Sequence, residues 1–174
     1  HVIFLELIMG PTCSIVYENE PIEKNAMQQK PRKMTETFLN WRELSISIIQ
    51  GLMITVGVLF AYQLAVQNGS NEETTRAMVF TTLFFSNVFL SLTNRSFTYS
   101  LFESFKNKNI LFPLITLATL ILLFTILYIP VFSNFFHVSS LNFKDLGTTV
   151  LIALVSVLWF ELYKLRKRRS QSNF

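Results

Sequence analysis

SISIIQGLMITVGVLFAYQLAV, residues 45–66, is a run of 22 residues without an Asp, Glu, Lys or Arg. A helix rises about 1.5 Å per residue, so this run reaches across the roughly 30 Å hydrocarbon core of a bilayer. Two further runs share the property: residues 77–94, which are 18 long, and residues 110–136, which are 27 long. Residues 146–163 carry one charge, Glu161, near their end, and residues 1–17 carry one carboxylate, Glu6. Only helices and closed barrels satisfy every backbone group in lipid, and near-continuous apolarity without period-2 alternation argues against barrel strands. The sequence therefore predicts an all-α fold: a polytopic transmembrane helix bundle of about five spanning helices.

The placement of charge supports this. The chain is 51% hydrophobic, with 18 Phe, and this content is gathered into the spans, so the bilayer is the solvent they face. A net charge of +4 fits nucleic acid only if the basic residues share a surface. Here they share a side of the membrane. If Tyr17 reaches the cytoplasm, the inner segments hold Lys24, Lys30, Arg32, Lys33, Arg42, Arg95, Lys106, Lys108, Lys164, Arg166, Lys167, Arg168 and Arg169, leaving only Arg76 and Lys144 outside. That is 13 of 15 basic residues inside, a strong positive-inside signal. The expected partner is the lipid bilayer, not nucleic acid, and the C-terminus is expected to be cytoplasmic. Cys13 is the only cysteine, so no internal disulfide forms. The first segment has no basic n-region, so no cleavable signal peptide is expected. The chain opens on His1 inside an apolar stretch, and its natural sequence is expected to continue upstream.

Four parts follow: a first span, residues 1–17; a cytoplasmic loop, 18–44; four spans, 45–163; and a basic cytoplasmic tail, 164–174. In the loop, Met34, Phe38 and Trp41 stand at helical spacing, as in a short amphipathic helix at headgroup level or a docking surface for a cytoplasmic domain. Helices are expected from about Ser45, Arg76, Ile110 and Leu146. Pro113 fits a first turn and Pro130 an end. Phe132, Phe135 and Phe136 fall in an aromatic outer loop expected to dip into the lipid surface, Trp159 and Tyr163 where an aromatic belt belongs. Asn68-Gly69-Ser70 fits a glycosylation sequon, a match common by chance. The tail is expected to act as a stop-transfer anchor attracted to anionic lipid by roughly 1 kcal/mol per charge. Glu161 is expected to snorkel at the cytoplasmic end.

The chemistry concentrates in the first span. A carboxylate in mid-membrane is costly and marks ion or proton pathways. Pro11 cannot donate a backbone hydrogen bond, and Gly10 before it relaxes the turn, so the pair can break the helix and free carbonyl oxygens one turn from Glu6. Oxygen-rich sites suit hard cations such as Ca²⁺. The plainer alternative is a kinked helix whose Glu6 hydrogen-bonds a neighbour.

Leu5-Glu6-Leu7-Ile8-Met9-Gly10-Pro11-Thr12-Cys13-Ser14-Ile15-Val16-Tyr17-Glu18-Asn19-Glu20-Pro21 resembles the sixth transmembrane helix and following loop of bacterial P-type cation-transporting ATPases of the calcium-pump-like type. Lys30-Pro31-Arg32 is similar to that family's loop ending, Arg76-Ala77-Met78-Val79-Phe80-Thr81-Thr82-Leu83 to the start of its eighth helix, and Thr93-Asn94-Arg95-Ser96 to that helix's end. The resemblance implies the sixth to tenth helices of such a pump, in a bacterial plasma membrane. It implies that Glu6 and Asn87 are metal ligands for the transported cation, Asn87 standing where calcium pumps carry a carboxylate or amide. The alternative for Asn87 is an interhelical hydrogen bond. Gly10 is the main departure: the family typically has an Asp there, a central ligand. Its loss implies a different ion, weaker binding or no transport.

The family's phosphorylated Asp, in an Asp-Lys-Thr-Gly-Thr motif, does not occur in this sequence, nor do a Gly-rich phosphate loop, HExxH or CxxC. No catalytic residue or cofactor is therefore expected in this chain. ATP and Mg²⁺ are implied for the parent protein, along with upstream transmembrane helices and cytoplasmic domains of the same parent chain as partners. Two other readings stay open: a stand-alone membrane scaffold or accessory subunit, and a small channel or carrier that depends on Glu6.

Overall fold

A computed structural model of the chain describes residues 41–94 and 111–171, together with Gly10, Ser14 and Glu18. Glu6, Pro11, most of the first span, Met34, Phe38 and the loop 95–109 lie outside the described residues. Every described element is a helix: α1 (Trp41–Gln67), α2 (Glu72–Asn94), α3 (Leu111–Tyr128), α4 (Pro130–Phe136) and α5 (Phe143–Gln171). Three of them, α1 from Leu44, α2, and α5 as far as Glu161, are long and apolar enough to cross a membrane. The chain is an integral membrane protein.

α1 and α2 form a hairpin whose turn the sequence specifies closely. The Gly69 amide donates to the Val66 carbonyl and the Ser70 amide to the Ala65 carbonyl, at 3.0 and 3.1 Å. This pairing closes a helix through a left-handed residue, and Gly69 takes it at φ +69° without a side-chain penalty. Two residues later Asn71 caps α2, its Oδ1 accepting the Thr74 amide at 2.8 Å. Glu72 and Glu73 occupy the first turn, where the helix dipole favours negative charge, and Glu72 pairs with Arg76 one turn on. The cap explains why α2 begins at Glu72 and not at Arg76.

α2 is the hub. It packs most extensively on α5, then on α1, and touches α3. α1 contributes a narrow buried stripe of Gln50, Ile54, Gly57, Ala61 and Ala65. Small residues at this spacing let helix backbones approach where lipid supplies no hydrophobic drive for association. The tightest point is Gly57: a Cβ there would collide with Ser156 Oγ, stand 3.1 Å from Ser156 Cβ and touch Ile152. α5 meets α1 and α2 with Thr149, Ile152, Ala153, Ser156, Val157 and Phe160, all buried. At the turn end of the bundle Ala65, Ala77, Met78, Phe80 and Phe84 pack with Leu123, Ile126 and Leu127 of α3 and with Val138 and Leu141 beyond α4.

Several boundaries differ from expectation. α1 already includes Trp41. Pro130 ends α3 as foreseen, but the chain resumes as helix α4, bent by 82° from α3, because Pro is as well suited to a first helical position as to a stop. α4 closes on His137, held at φ 47°, with the Val138 amide on the Ser133 carbonyl at 3.0 Å. α5 runs without a break to Gln171, through the segment expected as a tail. Glu161 does not snorkel: it is 7% exposed, on a helix that continues unbroken past it.

Gly57→Ala is expected to lower the thermal midpoint of the detergent-solubilised protein, by the ~1–3 kcal/mol typical of overpacking. Ser156→Ala in the same molecule should restore part of the loss, since it removes the nearer of the two clashing atoms. Melts of the two single variants and the double variant check this.

Candidate ion-site residues and the polar layer of the bundle

The described candidates stand in different surroundings. Gly10 is helical and exposed, its carbonyl accepting the Ser14 hydroxyl at 3.1 Å. A Cβ at Gly10 would meet nothing within 4 Å, so a larger side chain fits there. Asn87 lies near the middle of the second half of α2 and is half-buried. It shares a helical stripe with Val79, Leu83, Leu90 and Asn94, all half-buried, and with exposed Arg76. Phe85, Phe89 and Leu92, also half-buried, form a second stripe on the other side of the helix. Asn87 thus offers an amide on a half-buried side of α2. The structure does not test its pairing with Glu6, which lies outside the described residues. Among the described residues no three His, Cys, Asp or Glu side chains come together as a metal-binding group.

Other hydroxyls of α2 serve packing in different ways. Thr93 donates to the Leu90 carbonyl at 3.0 Å, and Ser91 is buried. Ser86 Oγ is fully buried and, with Thr81 Oγ1 and Trp159 Nε1, has no hydrogen-bond partner among the described residues. Trp159 packs edge-on against Phe160, whose ring stacks on Tyr163.

One polar arrangement was missed in the sequence. Gln50 of α1, 5% exposed, donates through Nε2 to Asn94 Oδ1 of α2 at 3.1 Å, and Asn94 Nδ2 returns a weak bond to Gln50 Oε1 at 3.5 Å. The reciprocal amide pair joins the ends of the hairpin opposite its turn. Counting from the Gly57–Ser156 contact at 1.5 Å per residue, Gln50 on α1 and Glu161 on antiparallel α5 come within about 3 Å of the same height. Glu161 thus stands near the height of the Gln50–Asn94 pair. Gln50 was legible as a polar residue inside a charge-free run. Its partner, 44 positions away, was not.

The family described as Cation transporting ATPase, C-terminus matches residues 1–166. Among curated proteins the chain is 30% identical to Calcium-transporting ATPase 1 of Yarrowia lipolytica over 161 residues, which is 89% of this chain and 17% of that protein. It is 29% identical to Calcium-transporting ATPase type 2C member 2 of Homo sapiens over 94% of this chain and 17% of the relative. It is 26% identical to the Mus musculus protein of that description over 94% of this chain and 18% of the relative. The chain therefore spans less than a fifth of the length of these relatives.

Gln50→Leu alone is expected to destabilise the bundle by about 1–2 kcal/mol, because it strands the Asn94 amide. Gln50→Leu with Asn94→Leu should be nearer wild type than either single change. A double-mutant cycle of thermal midpoints measures the coupling.

Proposed function

Because the chain belongs to the cation-transporting ATPase C-terminal family, we propose that it is the C-terminal membrane domain of an ATP-driven pump for a divalent cation, calcium foremost. The observation that carries this reading is the family match over residues 1–166, which takes in every predicted span. The printed descriptions of the relatives favour calcium. Asn87 supports it locally, as an amide on the incompletely covered side of α2.

In this reading the first span, the four later ones and the loop between them correspond to the pump's sixth to tenth helices. The divisions at 1–17, 18–44, 45–163 and 164–174 are retained as functional parts. The pump sits in a bacterial plasma membrane with its C-terminus in the cytoplasm, where the basic segments collect. Glu6 supplies the charged ligand and Asn87 a neutral one, and Pro11, which cannot donate to the carbonyl one turn back, leaves a further backbone oxygen for the ion. The rest of α2, with α1 and α5, forms a rigid support. ATP and Mg²⁺ act on upstream domains of the parent, whose phosphorylation cycle moves the helices that open and close the site. Gly10 leaves this site one carboxylate short, which lowers affinity for a divalent ion.

The test is ATP-dependent uptake of Ca²⁺ and Mn²⁺ into vesicles by the complete parent pump. Glu6→Gln is expected to weaken apparent ion affinity about tenfold or more, equivalent to at least ~1.4 kcal/mol. Asn87→Ala should weaken it less, and Gly10→Asp should strengthen it. Absence of uptake in every form of a well-folded protein would replace this reading with that of a scaffold or accessory subunit.

A further inference from the structure

We propose that α4 is an interfacial wedge: a short helix seated among lipid headgroups and upper acyl chains at the turn end of the bundle, its partner being the bilayer itself.

α4 presents Val131 at 75%, Phe132 at 44% and Phe135 at 78% exposure. At 3.6 residues per turn these three fall within an arc of about 100°. Ser133 and Phe136, half-buried, occupy the side toward the bundle, and exposed Asn134 flanks the apolar arc on the other side. An apolar arc beside a polar edge is the pattern of a helix lying in the interface. The 82° bend at Ile129 and Pro130 turns α4 nearly at right angles to α3, so if α3 stands upright α4 lies along the membrane plane. α4 is also held in place. The Tyr128 hydroxyl donates to the Leu141 carbonyl at 3.0 Å, and the Ser139 and Thr74 hydroxyls share a hydrogen bond of 2.8 Å. Val138 and Leu141, just beyond α4, belong to the core. The apolar arc is therefore fixed facing away from the protein.

Two observations favour lipid over a protein partner. Three apolar side chains on a seven-residue helix fall far short of the roughly 800 Å² per partner that a stable protein interface needs. Enlarging the patch means continuing along the exposed stripe of α3, Leu114, Leu117, Ile121, Phe124 and Tyr128, around the 82° corner. A straight partner helix cannot follow that corner, whereas fluid lipid can. Residues 129–143 also contain no Asp, Glu, Lys or Arg before Lys144, so the surface has no charge with which to select a partner. Four Phe in this segment match the aromatic preference of the interface.

The test is nitroxide depth measurement on the complete parent protein in vesicles, with a single label at Phe135→Cys or at Asn134→Cys in an otherwise cysteine-free background. Oxygen and a water-soluble nickel complex serve as relaxing agents, in pure phosphatidylcholine and in phosphatidylcholine containing phosphatidylglycerol. At position 135 oxygen should relax the label more than nickel does, and at 134 the order should reverse, with the same result in both lipids. Val131→Cys, on the same arc, should repeat the 135 result and stands in for it if Phe135→Cys fails to fold. Equal behaviour at 134 and 135 would overturn the proposal. So would a label at 135 and 131 shielded from both agents, which means a covering polypeptide, or dominated by nickel, which means water.

Discussion

No water is available in the hydrocarbon core to satisfy a hydroxyl, an amide or a backbone carbonyl, and most of this bundle can be read as an answer to that constraint. Many hydroxyl residues of the spans turn inward on their own helices, while Thr81 and Ser86 have no hydrogen-bond partner among the described residues. Thr55 donates to the Gly51 carbonyl at 2.9 Å, Thr82 to Met78 at 2.8 Å, Thr125 to Ile121 at 2.8 Å and Ser156 to Ile152 at 2.8 Å. Thr119 and Thr149 do the same three positions back. Each back-bond hides a polar atom and narrows the side chain's profile. α2, rich in Thr and Ser, is the most enclosed of the spans without being the most apolar. The amides, too long for the same solution, pair across helices as Gln50 and Asn94.

From this constraint the division of labour follows. α1 offers smallness, with Gly57, Ala61 and Ala65 letting α5 come close. α5 offers bulk and a long reach, and α2 lies against both. The lipid-facing sides of α1 and α3 carry large aliphatic and aromatic residues such as Leu52, Phe60, Leu117 and Phe124, which would be misplaced on a soluble protein. The partly covered stripe of α2 departs from both patterns, since it is neither apolar enough for open lipid nor fully packed. Asn87 sits on it, and for that reason the ion-site reading attaches to this side of the bundle and not to the dense contacts among α1, α2 and α5.

What the sequence could show depended on the range of the interaction involved. Span existence was legible in residues 45–66, 77–94 and 146–163, because length without charge is a one-dimensional property. The turn at Gly69 and the break at Pro130 were legible for the same reason: both are local backbone chemistry. The fate of the chain after Pro130 was not, since the residue that stops one helix can start another, and only contacts to Val138 and Leu141 decide the direction. Glu161 was misjudged because its nearness to the chain's basic end suggested an interface, whereas burial is a property of the packed bundle that the sequence does not show. For the candidate site, the carboxylate of Glu6 and the Gly10-Pro11 pair were visible at once as local anomalies. The half-covered setting of Asn87 needed the neighbours of α2 to be placed first.

The turn between α1 and α2 bears on how the protein is built. Residues 68–71 link the two helices, and four extended residues reach about 14 Å at most, well under the roughly 30 Å core. α2 must therefore enter the membrane from the face at which α1 leaves it. Taken alone, α2 is a poor candidate for insertion, with its Thr, Ser and Asn content and two acidic residues at its start. Tethered to the more apolar α1, it reaches the bilayer as the second arm of one hairpin. The four-residue link thus makes a helix selected for its interior surface insertable by virtue of its neighbour.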